Sequence, residues 1–206
     1  DLEQLVNNAA MLVLNSVPAP PRFRLVCRET PEPVFGNGGQ LQQVFQNLLK
    51  NAAEAMPAGG EIQVDIENRR IQAGESPLPE TGLYRMAGQP QAGDYICVTI
   101  SDEGEGILAI DLPHVFEPFF SKKDQRQGLG LTVALSVIQK NGGFIDIQSQ
   151  AGKGTAVTVW LPRRENHQTE VVDLKPIRPV KILVMDDESI VREVWDRLLQ
   201  RLGHRA

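Results

Sequence analysis

Leu41-Gln-Gln-Val-Phe-Gln-Asn-Leu-Leu-Lys-Asn-Ala-Ala-Glu-Ala55 decides how the rest of the chain is to be read. Leu41, Val44, Phe45, Leu48, Leu49 and Ala52 recur at steps of three and one, the spacing of one buried helical face. Asn37, followed by Gln40 three residues on, fits a capping pair at the start, and Pro57 with Gly59-Gly60 stops the helix. Beside the apolar stripe runs a polar one: Gln40, Gln43, Asn47, Asn51 and Glu54. Such a stripe usually faces water. Here two amides one turn apart flank the buried face, so the wall of a pocket is at least an equal reading.

Working outward, Leu2, Leu5, Val6, Ala9, Leu12 and Val13 give a helical period, ended by Pro18, Pro20 and Pro21. Phe23 to Cys27 reads as a strand and Val34-Phe35 as a short extended piece. Ile62 to Asn68 alternates as a strand. Residues 69–94 are rich in Gly and Pro and read as a loop insertion. Tyr95 to Ser101 is a strand running into Asp102-Glu-Gly-Glu-Gly106. Gly128-Leu-Gly130 opens a helix from Leu129 to Lys140 that Asn141-Gly142-Gly143 closes with a left-handed cap. Phe144 to Gln150 and Thr155 to Leu161 are strands joined as a hairpin through Gly152-Lys-Gly154. Pro162 to Pro179 is a polar linker holding three prolines. Then Val180 to Met185, Asp186-Asp187 and an amphipathic Ser189 to Leu202 read as strand, acidic turn and helix.

The totals narrow the function classes. With 206 residues and 41% hydrophobic content the chain holds one domain and part of another, and it can build a core. A net charge of -5 argues against a nucleic-acid surface. No apolar run reaches the roughly 20 residues of a membrane span, so this segment is expected to be cytoplasmic and without membrane contact. Cys27 and Cys97 lack metal-ligand partners in sequence and read as small buried hydrophobes.

Three motifs carry chemistry. Asn51 offers a neutral oxygen that can serve as one protein ligand to Mg²⁺, which takes its other ligands from phosphates and waters. For Asn47 alone a solvated amide is the better reading. Asp102 accepts hydrogen bonds and so can recognise an exocyclic amine, while Gly104 and Gly106 let backbone approach a flat base; a surface turn is the bland alternative. Gly128, Leu129 and Gly130 at a helix start present N–H groups where anions are favoured, although close packing also selects glycine there. Lys122, Lys123 and Arg126 stand just upstream, either as phosphate partners or as a solvated basic run. No G-x-x-x-x-G-K-[ST] loop and no dinucleotide-binding turn occurs.

In order and spacing these stretches resemble the ATP-binding catalytic domain of sensor histidine kinases, within the group that includes gyrase, MutL-type proteins and heat-shock chaperone ATPases. The likeness runs from Asn37 to Pro162. Besides the helix, Asp102–Ile107 and Gly128–Leu131, it includes Phe116-Glu-Pro-Phe-Phe120, similar to an aromatic box before the ATP lid, and Gly152-Lys-Gly-Thr155, similar to a last glycine motif. The resemblance implies an α/β two-layer sandwich: a mixed sheet of about five strands, covered on one face by three helices, with ATP between helices and lid. It implies Asn51 on Mg²⁺ and Asp102 on the adenine amine, with Thr155 supporting Asp102. Asn47, Lys123 and the Gly128, Leu129 and Gly130 amides would face the phosphates, and Phe119 and Phe120 would anchor the lid. Arg126 stands where many relatives carry glycine, and the stretch from Phe120 to Gly128 is short.

The tail from Val180 resembles the start of a response-regulator receiver domain, with Asp186 and Asp187 as its acidic metal pair. The expected division is therefore 1–21, the end of an upstream helix and a linker; 22–162, the catalytic domain; 163–179, a linker; and 180–206, a receiver start. The implied activity is transfer of the ATP γ-phosphoryl to a histidine on a helical dimerisation domain, with a response regulator or receiver as further partner. His114, His167 and His204 do not stand where the family carries its acceptor, so this chain is expected to bind ATP without phosphorylating itself. The alternatives are an ATPase of the same group and a regulatory nucleotide-binding module. The ATPases carry a glutamate as general base where this chain has Asn47, which cannot take a proton.

Overall fold

The computed structural model describes residues 1–34, 36–77, 83–120 and 128–163. These fall in one compact unit, Asp1–Glu165. The basic residues Lys122, Lys123 and Arg126, and the receiver-like stretch with Asp186 and Asp187, lie outside the described residues.

Helix α1 (Leu2–Leu14) is capped by the Asp1 carboxylate and buries Leu2, Val6, Ala9, Ala10 and Val13. Of the expected period Leu2, Val6, Ala9 and Val13 pack into the core beside α2, whereas Leu5 is half-buried and Leu12 is exposed, Ala10 taking a core place instead. Strand β1 (Arg22–Cys27) follows, then α2 (Gly38–Glu54), then β2 (Glu61–Ile71). The α2 cap is as read: Asn37 Oδ1 accepts from the Gly39 and Gln40 N–H groups at 3.0 and 3.2 Å. Seven residues of α2, the six of the apolar stripe plus Ala53, are buried.

The sheet has six strands in the order β1-β2-β4-β6-β5-β3, where β3 is Tyr84–Ala87, β4 Gly93–Asp102, β5 Phe144–Gln150 and β6 Gly154–Pro162. β1 and β2 run parallel, α2 being their crossover, and every other pair is antiparallel. This is the mixed α/β sheet expected, with one strand more. Residues 69–94 are not wholly a loop. β2 continues through Arg69 to Ile71, and β3 pairs with β5 as an edge strand, Tyr84 opposite Gln148. Four residues with little apolar periodicity form a strand there because β5 supplies the hydrogen bonds.

Helix α3 (Gly130–Lys140) ends as the sequence indicates. Gly142 takes φ 73°, the Gly143 N–H reaches the Ile138 carbonyl at 3.0 Å and the Gly142 N–H that of Gln139 at 2.9 Å. The sheet alternation then sorts the side chains. Ile62, Val64, Ile66, Val98, Ile100, Ile145, Ile147 and Val159 join the three helices in one core. On the opposite face Ile71, Tyr95, Cys97, Phe144 and Trp160 form a smaller aromatic cluster, with Phe144 stacked on Trp160 at 5.1 Å. Cys97 is buried there, whereas Cys27 is only half-buried. Among the described residues no helix is long and apolar enough to cross a membrane.

Candidate nucleotide site

The site is assembled along the C-terminal half of α2. At one end the Asn47 side chain donates to the Gly130 carbonyl at 3.3 Å, so the amide holds the first turn of α3. A Cβ on Gly130 would lie 3.9 Å from Asn47 Cγ and from Asn51 Nδ2, an ordinary van der Waals contact, so this approach does not by itself demand glycine. Asn51, one turn further along, is half-buried and makes no hydrogen bond through its side chain among the described residues.

At the other end α2 meets the acidic glycine turn. The Glu105 N–H donates to the Ala55 carbonyl at 3.2 Å, and the Gly104 N–H to Asp102 Oδ1 at 2.8 Å. A Cβ on Gly104 would lie 2.6 Å from Ala55 Cβ and 2.7 Å from its carbonyl oxygen. Glycine is required here by space rather than by dihedral angle. The turn is pinned on its far side too. A Cβ on Gly106 would meet the Gln150 carbonyl, and one on Gly154 the Asp102 carbonyl. The Gly152 N–H donates to the Glu105 carbonyl at 2.8 Å. Asp102 is thus the last residue of a central strand, held between the end of α2 and the β5–β6 hairpin. Directly opposite it in the β4–β6 register stands Thr155.

Both ends therefore abut one helix. Asn47 and Ala55 are eight residues apart, about 12 Å at the rise of an α-helix. The structure brings Asn47, Asn51, Asp102, Gly104, Gly106, Gly130 and Thr155 around that wall. Gly128 is different. It has φ 61°, its carbonyl accepts from the Phe119 N–H at 3.2 Å, and a Cβ on it would strike the Phe119 and Phe120 backbone. Glycine is therefore required here by its dihedral angle and by close packing, whatever its N–H faces. Leu129 is the N-cap of α3 and offers no side-chain cap. Within the aromatic box Phe116 is buried, Phe120 is half-buried and Phe119 is 75% exposed with φ 66°. The box is anchored through Phe116, whose carbonyl accepts from Thr132 Oγ1 at 3.2 Å.

One polar residue of the site was not singled out in the sequence. Ser149 of β5 is 4% exposed and bonds the turn and the hairpin together. Its signal was present: it follows Ile145 and Ile147 at period two, a polar side chain on a face that is otherwise buried and apolar.

Residues 36–165 match the family described as histidine kinase-, DNA gyrase B-, and HSP90-like ATPase. The chain belongs to this family. Among curated relatives it is 34% identical over 188 residues to the sensor kinase CckA of Brucella abortus, which covers 84% of this chain and 19% of that protein. It is 35% identical over 134 residues to sporulation kinase E of Bacillus subtilis, covering 65% of this chain and 15% of that protein. It is 31% identical over 163 residues to the sensor histidine kinase ZraS of Escherichia coli, covering 79% of this chain and 30% of that protein. The chain thus spans less than a third of the length of these relatives. Among solved structures, the mycobacterial sensor histidine kinase MprB superposes with a TM-score of 0.60 at 25% identity, covering 79% of this chain and 94% of that one. Residues 36–165 are an ATP-binding domain of this family, in the form that sensor histidine kinases carry.

Proposed function

We propose that this chain supplies the ATP-binding catalytic step of a two-component sensor histidine kinase, donating the γ-phosphoryl of ATP to a histidine on a helical dimerisation domain. The observation that carries this is the shared wall of α2, with the Asp102 turn packed on Ala55 and the start of α3 bonded to Asn47. A base held at the first contact and phosphates at the second would lie along one helix, past Asn51. In this reading Asp102 accepts from the adenine amine, and Gly104 and Gly106 belong to the base site by letting the turn that carries Asp102 dock tightly on Ala55 and Gln150. Thr155 supports Asp102 from the neighbouring strand. The N–H groups of Gly128, Leu129 and Gly130, with Lys123, face the phosphates.

The Asn51 amide fits Mg²⁺, because it is a neutral donor without a protein partner among the described residues. The ion would neutralise phosphate charge, with the phosphates and waters completing its shell. Asn47 supports transfer to a protein over hydrolysis. Its side chain is engaged with Gly130 and has no basic site with which to activate water.

The remaining assignments belong to the same reading. In it residues 22–162 are the catalytic domain; the compact unit that contains them runs from Asp1 to Glu165 and also takes in α1, which packs into the same core. Residues 1–21 lead into it, 163–179 are a linker, and 180–206 begin a receiver with Asp186 and Asp187 as its acidic pair. A response regulator or that receiver takes the phosphoryl group next, in the cytoplasm.

Calorimetric titration with a non-hydrolysable ATP analogue, with and without Mg²⁺, tests the site. Binding enhanced by Mg²⁺ is expected, with the enhancement lost in Asn51→Ala and base selectivity weakened in Asp102→Ala. If both variants bind like the parent, the residue assignment fails. Phosphorylation of a supplied histidine-bearing helical domain by the chain and labelled ATP then tests the activity.

A further inference from the structure

Four side chains form one row across the helix-facing side of the sheet: Ile62, Asp102, Thr155 and Ser149, each paired with the next in register. The last is a junction. Ser149 Oγ accepts from the Ile107 N–H at 2.8 Å, contacts the Gly154 carbonyl at 3.0 Å and the Thr155 hydroxyl at 2.9 Å. Ile107 directly follows Gly106, so this buried hydroxyl ties the Asp102 turn to the hairpin that carries Thr155.

Counting protons fixes the direction of these bonds. A serine hydroxyl has one proton, and a carbonyl can only accept, so the Ser149 proton goes to Gly154. The Thr155 hydroxyl must then donate to Ser149. What Thr155 has left is lone pairs. Beside it stands Asp102, a carboxylate, which also only accepts. The row therefore presents acceptors, suited to a ring substituent that donates.

On the nucleotide-binding reading above, we propose that Ser149 is a positioning residue for base selectivity. Its buried hydroxyl holds Thr155 as an acceptor and so favours a purine bearing a 6-amino group over one bearing a 6-oxo group. An oxo group has no proton to give and would face two acceptors. Without Ser149, the Thr155 proton is released and can turn toward the pocket, where it serves an oxo group as well.

The test compares parent and Ser149→Ala for calorimetric binding of non-hydrolysable ATP and GTP analogues and of Mg²⁺-tripolyphosphate, which has no base. The expected result is a roughly tenfold weaker hold on the ATP analogue with a smaller loss for the GTP analogue, so that discrimination falls. Tripolyphosphate binding stays within about twofold on the same premise. Thr155→Val, which removes the acceptor without touching Ser149, should lower discrimination by itself. In the Thr155→Val background Ser149→Ala should change it no further. Equal losses for all three ligands would mean that Ser149 only supports the fold, and unchanged discrimination in Ser149→Ala or in Thr155→Val would equally overturn the proposal. A parent that binds tripolyphosphate but neither nucleotide analogue refutes the base-site reading itself, an outcome distinct from failure of Ser149 alone.

Discussion

Replacing Gly104 by alanine tests how tightly the acidic turn is built against α2. Gly104 does not need a left-handed dihedral, so the added methyl acts only through contact. It would lie 2.6 Å from Ala55 Cβ, 2.7 Å from the Ala55 oxygen and 2.8 Å from Asp102 Oδ1. The first two belong to the end of a helix and have no rotamer through which to yield. Restoring ordinary separations of about 3.5–4 Å moves the turn by roughly 1 Å. That stretches the 3.2 Å bond from the Glu105 N–H to Ala55 beyond hydrogen-bonding range, and it turns Asp102 away from the 2.8 Å bond it accepts from Gly104. Overpacking costs about 1–3 kcal/mol and a lost hydrogen bond about 1 kcal/mol. If roughly 2 kcal/mol of this is felt by a ligand that needs Asp102 in place, affinity falls about thirtyfold. Calorimetry with an ATP analogue reads the affinity and guanidinium unfolding reads the stability. A variant that binds within threefold of the parent and unfolds at the same midpoint would show that the turn is loose and the contact argument mistaken.

Three further outcomes are expected. Gly38→Ala introduces a methyl with nothing within 4 Å at the first position of α2, so it should leave binding unchanged and stability equal or up to about 1 kcal/mol higher; a clear loss in chemical denaturation would contradict this. Asn37→Ala removes the α2 cap and should cost about 1 kcal/mol, seen as a thermal midpoint lower by about 2–4 °C. Asp146 concerns pH. Burial pushes its carboxyl up, against the opposing effects of the Trp160 Nε1–H bond at 2.6 Å and of Arg69. The folded state therefore holds the proton longer than the unfolded one, and stability falls as pH rises from the ordinary aspartate range through the raised value. Asp146→Asn keeps an acceptor for Trp160 without the charge, so its stability relative to the parent should increase over that interval. Urea midpoints whose difference stays constant with pH would dismiss the explanation.

The helices and the hairpin were legible because their determinants are local. The α2 stripe, the Asn37 cap and the Gly142 reversal each follow from residues within a few positions of one another. β3 was not, because Tyr84–Ala87 acquires its structure from β5, about sixty residues later in the chain. The same holds within the site. Asp102 and Asn51 stood out as residue types in a suggestive order, whereas the closeness of Gly104 to Ala55 depends on how a turn docks against a helix end. Gly128 was legible as a glycine of the pattern, but its left-handed dihedral angle and its close contacts with the Phe119 and Phe120 backbone, which make glycine necessary there, are set by a segment that lies apart from it in sequence. Ser149 was visible only as a break in an apolar alternation, and its meaning required the register of three strands.

The bond from the Phe119 N–H to the Gly128 carbonyl has a consequence for engineering. It fastens the chain at a neck, so the entropy of closing whatever lies between these residues is charged against a junction already made by packed backbone. Doubling the length of a closed loop costs only about 0.6 kcal/mol. Extra residues should therefore be tolerated between Phe120 and Gly128 at little cost in stability, so that, with Lys123 kept, this neck is a natural insertion point for a reporter or a sensor peptide.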